Sequence, residues 1–140
     1  TLFLVPFDEE AMFDLKYEHI HLIHSDHDAA VRFYQDTLGA TFLNTTERHG
    51  APQTKLDCHG VMLIVRGVRA GEEPMAAGTL PRMGADHFGF WIGPGQYGEA
   101  KSHLEGLGVK IAQEGELPHL NFLYFEGPDG VMIELMDPKE

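Results

Sequence analysis

The sequence is short of positive charge. Ten Lys and Arg residues against 22 Asp and Glu residues give the chain a formal net charge of -12. Nucleic acids and anionic membrane surfaces both bind clusters of Lys and Arg, so neither is expected as a partner. We expect small molecules or other proteins to bind instead.

Cysteine is nearly absent, and long apolar runs are missing. The single Cys58 cannot form an internal disulfide, which fits a reducing compartment. No apolar stretch approaches the roughly 20 residues of a membrane helix, and the first residues lack the pattern of a signal peptide. We therefore expect a cytoplasmic protein. Cys58 is expected to be a small buried apolar residue or, if it shares strand parity with Met62, to line a cavity.

Length and composition predict one globular domain. The chain has 140 residues, of which 43% are hydrophobic and 23% charged. Residues 1–16 mix large apolar and acidic side chains and predict an arm that docks elsewhere, with a lid or a dimer contact as the alternative. Residues 17–137 are predicted to form the domain itself. It divides into a first module at 17–67, a linker rich in glycine and proline at 68–84, and a second module at 85–137.

The two modules repeat the same element order, strand-helix-strand-strand-strand. Three landmarks recur at spacings of 68 to 70 residues: a histidine in the first strand, a Leu-Gly pair after the helix and a Gly-Val-Met triplet before the last strand. They are His19 and His87, Leu38-Gly39 and Leu107-Gly108, and Gly60-Val61-Met62 and Gly130-Val131-Met132. A drift of only two residues indicates a duplicated unit.

The stretch YEHIHLIH at residues 17–24 predicts the first strand. Side chains alternate between the two faces of a strand, so His19 and His21 share one face and His24 lies on the other. His24 and His27 flank the start of the following helix and are expected to face solvent.

The repeat brings three metal-ligating residue types to equivalent strand positions. GVMLIV in the first module aligns with GVMIEL in the second, so that Ile64 corresponds to Glu134. His19, His87 and Glu134 thus occupy three of four equivalent positions, and Ile64 occupies the fourth. Two imidazoles and one carboxylate are the facial ligand set of non-haem iron(II), and they also suit manganese, zinc, nickel or cobalt. Such a site keeps positions open for a substrate and a second small molecule.

The sequence resembles the vicinal oxygen chelate superfamily through EHIHLIHSD, DHFGFWI and LYFEGPDGVMIEL. That superfamily includes glyoxalase I, methylmalonyl-CoA epimerase, fosfomycin- and bleomycin-resistance proteins and type I extradiol dioxygenases. The resemblance covers nearly all of residues 17–137. It implies an α+β fold of two tandem βαβββ modules whose mixed sheets curl around a metal site. It also implies His19 and His87 as first-strand ligands and Glu134 as the last-strand ligand.

The resemblance also limits which of the superfamily's reactions we expect. Glyoxalase I and the epimerase usually have a fourth protein ligand where this chain has Ile64, which favours members with three ligands. Fosfomycin enzymes need a basic pocket, for which the few cations of this chain offer little. We therefore expect an iron(II) extradiol dioxygenase that acts on a catechol-like diol and dioxygen. The alternatives are a lyase or isomerase like glyoxalase I or the epimerase, and a binding or resistance protein.

Other site residues follow from the expected reaction. Tyr124 stands ten residues before Glu134, as the iron-site tyrosine of extradiol enzymes does, and either hydrogen-bonds the substrate or only packs. Proton transfer needs a further group, for which His119 is the first candidate and His21 and His59 are the others. Members with one pair of modules are commonly homodimers, so a homodimer is expected, with or without exchange of modules.

Overall fold

The computed structural model describes residues 13–75 and 83–139. Residues 1–12 of the predicted arm and residues 76–82 of the predicted linker lie outside the described residues. The chain divides after Glu72 into two compact units. Within the part of the chain that the structure describes, no helix is both long and apolar enough to cross a membrane.

The first unit contains one helix and one four-stranded mixed sheet. Its elements are β1 (His19–Ile23), α1 (His27–Leu38), β2 (Thr41–Arg48), β3 (Ala51–Cys58) and β4 (Val61–Arg66). The strand order is β1-β4-β3-β2, with β1 parallel to β4 and the other neighbours antiparallel. Strands β1 and β4 are parallel, so they need a long crossover connection, which here contains α1, β2 and β3.

The second unit repeats this arrangement. Its elements are β5 (Phe88–Trp91), α2 (Tyr97–Gly106), β6 (Ile111–Leu117), β7 (Leu120–Glu126) and β8 (Met132–Pro138), with a 3-10 turn at Pro128–Gly130. The strand order is β5-β8-β7-β6, and again only the first and last strands pair in parallel. The prediction of an α+β fold with two tandem βαβββ modules and mixed sheets is confirmed.

The duplication extends to an irregularity of the backbone. A β-bulge interrupts the pairing of β2 between Phe42 and Asn44, and another interrupts the pairing of β6 between Ile111 and Gln113. A bulge bends its strand and increases the local twist. The second strand of each module therefore bends at the same place.

Helix α1 begins and ends at residues that suit helix boundaries. The backbone N–H of Ala29 donates to the Asp26 carboxylate over 3.0 Å, and Gly39 ends the helix with a φ of 67°. The helix packs on β3 and β4 and buries Ala30 and Tyr34 completely. This contact forms the core of the first unit.

The prediction that His24 and His27 face solvent is wrong for both residues. His24 is fully buried, and its Nε2 lies 2.9 Å from the Tyr34 hydroxyl. The His27 side chain is 11% exposed, and its Nε2 lies 2.7 Å from Oγ1 of Thr54. The cause is the position of α1, which covers the face of the sheet opposite to His19 and His21.

Cys58 lies in the core of the first unit and not on the face of Met62. The β3–β4 hairpin pairs Cys58 with Val61 and Asp57 with Met62, so strand parity reverses across the turn. Cys58 has no exposed surface, which confirms a small buried residue and corrects its placement beside Met62. Burial, with a smaller effect from the Asp57 charge, raises the pKa of the thiol to about 11.

Helix α2 is capped by a residue of β8. Gln96 at the N-cap makes no capping hydrogen bond through its side chain. Instead the Asp137 carboxylate accepts hydrogen bonds from the backbone N–H groups of Gly95, at 3.0 Å, and Tyr97, at 3.1 Å. Side chains alternate along β8, so Asp137 and Glu134 point to opposite faces of the sheet. The helix is therefore attached to the face that does not carry Glu134.

The buried thiol leads to the first prediction. Native protein at about pH 8 should react with Ellman's reagent at least ~100-fold more slowly than protein in denaturant, because Cys58 is inaccessible and protonated. The thionitrobenzoate absorbance measures the rate, and Cys58→Ala supplies the background. A native rate equal to the denatured rate would show that the side chain reaches solvent.

Candidate metal centre

The second sheet brings His87 and Glu134 together, although they lie 47 residues apart. Gly89 is opposite Glu134 in the parallel β5–β8 pair, and His87 precedes Gly89 by two residues on the same face. Nε2 of His87 lies 3.1 Å from Oε1 of Glu134. The two side chains are 29% and 14% exposed, so the pair is partly shielded from solvent.

The spacing of this pair suits two neighbouring ligands of one divalent ion. Ligand atoms about 2.1 Å from a cation and about 90° apart lie about 3.0 Å from each other. The observed separation of 3.1 Å agrees with that value. An imidazole nitrogen and a carboxylate oxygen are also the donors that iron, manganese and zinc accept. His87 and Glu134 therefore fit the metal ligands that the sequence predicts.

An acidic residue directly precedes each candidate histidine ligand. Oδ2 of Asp86 lies 2.7 Å from Nδ1 of His87, and the Glu18 carboxylate contacts Nδ1 of His19. A carboxylate that accepts from Nδ1–H orients the ring and leaves Nε2 as the metal-binding nitrogen. Glu18 and Asp86 are not among the site residues predicted from the sequence. The aligned dipeptides Glu-His and Asp-His are the signal that would have found them.

Tyr124 joins the cluster from β7. It lies directly opposite Glu134, and its ring centroid is 4.8 Å from that of His87 in an edge-to-face contact. Burial, followed by the charge and the hydrogen bond of Glu134, raises the pKa of the phenol. Tyr124 also lines a cavity of about 230 Å³ together with Asp86 and Met132. The tyrosine is thus a protonated donor beside both candidate ligands.

Gly89 leaves the space that Glu134 occupies. A Cβ atom at Gly89 would lie 3.1 Å from the backbone oxygen of Glu134 and 3.2 Å from its Cβ. Both distances are shorter than ordinary van der Waals contact, so an added Cβ would push Glu134 by a few tenths of an ångström. In the first unit, His21 takes the position equivalent to Gly89 and lies opposite Ile64.

His19 and His21 share the exposed face of β1, as the sequence predicts. Their ring centroids are 6.3 Å apart. The pKa of His21 is lowered, first by burial and then by the charges of Arg66 and Arg69. His21 is therefore a neutral imidazole at neutral pH.

The three predicted metal ligands are divided between the units. His19 belongs to the first unit, whereas His87 and Glu134 belong to the second. Among the residues that the structure describes, no three His, Cys, Asp or Glu side chains form a group able to hold a metal. The binding of His19 to the same ion as the other two therefore stays a prediction.

The remaining proton-transfer candidates lie at hairpin turns. His119 is exposed between β6 and β7. The β7–β8 register puts it five residues from the level of Glu134, which is roughly 16 Å along the sheet. Nε2 of His59 donates to the Leu38 carbonyl over 2.6 Å and so caps the end of α1. The structure does not bring His119 to the cluster of His87, Glu134 and Tyr124.

Comparison with known proteins identifies the family. The family model of the Glyoxalase/Bleomycin resistance protein/Dioxygenase superfamily matches residues 16–135. The chain belongs to this superfamily, which confirms the resemblance seen in its motifs. No curated protein sequence is matched.

Solved structures share the fold at low sequence identity. A glyoxylase/bleomycin resistance protein/dioxygenase domain from Frankia sp. EAN1pec is 22% identical with a TM-score of 0.75, over 87% of this chain and 90% of that one. A glyoxalase family protein from Enterococcus faecalis is 19% identical with a TM-score of 0.73, over 87% and 97%. The fosfomycin resistance protein FosX from Listeria monocytogenes is 18% identical with a TM-score of 0.71, over 87% and 90%. Another FosX structure contains Mn(II) and a sulfate ion.

The close approach at Gly89 leads to the second prediction. Gly89→Ala should weaken Mn(II) binding roughly 10-fold, because the added methyl group displaces Glu134. Equilibrium dialysis measures the affinity. Gly106→Ala in α2 is the matched control, since its Cβ would meet nothing within 4 Å. Equal affinities in the two variants would contradict the steric role of Gly89.

Proposed function

We propose that this protein is a divalent-metal enzyme of the superfamily and that it cleaves the ring of a catechol-like diol with dioxygen. His19, His87 and Glu134 are the proposed ligands. The observation that carries the proposal is the 3.1 Å separation of the His87 nitrogen and the Glu134 oxygen. Membership of the superfamily supports the addition of His19 from the duplicated strand.

A site with three protein ligands supports dioxygenase chemistry. Ile64 holds the position equivalent to Glu134, and its aliphatic side chain has no atom that could serve as a fourth donor. His19, His87 and Glu134 would hold the ion through three donors, which would leave space beside it for a diol and dioxygen. A cation there would lower the pKa of the diol and orient both reactants.

The side chains around the ligands have separate proposed roles. The hydroxyl group of Tyr124 hydrogen-bonds Glu134, and its proposed role is to donate a hydrogen bond to an oxygen of the substrate. Asp86 accepts from Nδ1 of His87 and keeps its Nε2 available. His21 is the favoured acid-base group, because it shares a strand face with His19 while His119 lies at a distant turn.

A redox-neutral hydrolase, lyase or isomerase is the second candidate. The likeness to FosX, of which one structure contains Mn(II), supports it. The same donor set would then activate a substrate through two adjacent oxygens without consuming dioxygen. Dependence on oxygen separates the two candidates.

The proposed reaction is tested by loading the protein anaerobically with Fe(II), Mn(II), Zn(II), Ni(II) or Co(II) and then measuring oxygen uptake against a panel of catechols. Stoichiometric uptake with a ring-opened product supports the dioxygenase. Metal-dependent turnover that persists without oxygen supports the second candidate. Failure to retain any of the five metals would leave a binding or resistance protein.

The metal ligands lead to the third prediction. His19→Ala, His87→Ala and Glu134→Ala should each weaken metal binding by more than about 100-fold, because each removes one donor. Metal content after anaerobic dialysis measures the loss. His119→Ala, at an exposed turn, is the control and should retain the metal. Full retention in His19→Ala alone would contradict a metal shared by the two modules.

Tyr124 leads to the fourth prediction. Tyr124→Phe should lower kcat by roughly 100-fold, because it removes one hydrogen-bond donor beside the reacting oxygens. Metal content should stay that of the wild type. A variant with unchanged kcat would show that the tyrosine only packs against His87.

A further inference from the structure

The face of the first sheet that carries His19 is mixed in character and includes two cations. Side chains directly opposite each other in neighbouring strands share a face. The registers of β1, β4 and β3 therefore place eight further side chains on this face: the cations Lys55 and Arg66, the polar or acidic His21, Gln53 and Asp57, and the apolar Ile23, Met62 and Ile64. In the second unit, the position equivalent to Lys55 is that of Tyr124, because Lys55 lies opposite Ile64 and Tyr124 lies opposite the aligned Glu134.

Arg69 follows β4 and folds back toward the same face. Its guanidinium donates to Oε1 of Gln53 over 3.0 Å. Its Nε atom is buried and has no hydrogen-bond partner within the structure as described. A buried donor without a partner is costly, so this guanidinium is held in place without its full set of acceptors.

The charge of Arg69 is not neutralised as that of Arg66 is. Both oxygens of Glu72 bind the Arg66 guanidinium, at 2.7 and 3.0 Å. Toward Arg69 the same carboxylate accepts only from the backbone N–H, at 2.7 Å. In residues 13–75 and 83–139, neither the Arg69 guanidinium nor Lys55 forms an ion pair with a carboxylate.

The chain has only ten Lys and Arg residues and a net charge of -12, and within the described residues four of these cations form ion pairs with a carboxylate: Arg66, Lys101, Lys110 and Lys139. Lys55 and Arg69 lie near Gln53 on the face that carries a candidate metal ligand, and neither is paired with a carboxylate in the part of the chain that the structure describes. The small number of cations argued against a basic pocket, but their positions provide a local one.

We propose that Arg69, with Lys55 as a second contact, binds a carboxylate group of the substrate. A guanidinium presents parallel N–H donors that match the two oxygens of a carboxylate, and Gln53 holds it in orientation. The inference rests on the proposed function, since it places this carboxylate on the diol that the metal binds. The substrate class is then a dihydroxyaromatic acid and not a neutral catechol.

The test compares 3,4-dihydroxybenzoate with catechol by isothermal titration calorimetry. Both Mn(II)-loaded and metal-free protein are used, without oxygen. The wild-type protein should bind the acid at least ~10-fold more tightly than catechol, as a charge-assisted hydrogen bond predicts. The preference should persist without metal, because Arg69 needs none. Arg69→Met should abolish it, and Arg69→Lys should retain part of it.

Two further variants complete the design. Arg32→Met on α1 removes the same charge from the opposite side of the sheet and should keep the full preference. Lys55→Met should reduce the preference and covers the case in which Arg69→Met does not fold. An equal affinity of wild-type protein for both compounds, or an unchanged preference in Arg69→Met and Lys55→Met, would overturn the inference. Metal content and oxygen uptake, measured on separate portions of the same preparations, report separately on the proposed function.

Discussion

In the second unit, the ladder of hydrogen bonds between β5 and β8 holds His87 and Glu134 with their ligand atoms 3.1 Å apart. The segment that connects β5 to β8 forms a helix and two strands. A shift of register by one residue would turn Glu134 to the face of Ile133, which is core. The parallel pairing of the first and last strands is thus the constraint on which the cluster with Tyr124 and Asp86 depends.

The duplicated backbone carries different chemistry in its two copies. The second sheet has Glu134 and Tyr124 at paired positions, whereas the first sheet has Ile64 and Lys55. The bulge and the strand order are the same in both. Our two proposals assign these differences to two tasks. The second module supplies two of the three metal ligands and a hydrogen-bond donor, and the first supplies the third ligand and a contact for an anionic group.

Position matters more than total charge for both proposals. A chain with a net charge of -12 places Lys55 and Arg69 beside Gln53 with no carboxylate partner among the described residues, and it places acidic residues directly before two histidines. Asp86 orients His87 because its carboxylate lies next to Nδ1. An acidic residue elsewhere in the chain would not have this effect. The net charge leads us to expect no nucleic-acid partner, but it does not describe what a local site recognises.

Much of the fold could be read from residue order alone. Alternation along strands and the spacing of the repeat predicted two βαβββ modules, the shared face of His19 and His21, and His87 with Glu134 at equivalent positions. These are local or periodic properties, so the sequence by itself determined them. The tertiary structure decided what depends on register and packing between distant segments. Helix α1 buried His24, a two-residue turn moved Cys58 to the core, and the return of Arg69 onto Gln53 created a cationic site, because each requires contacts that no periodicity encodes.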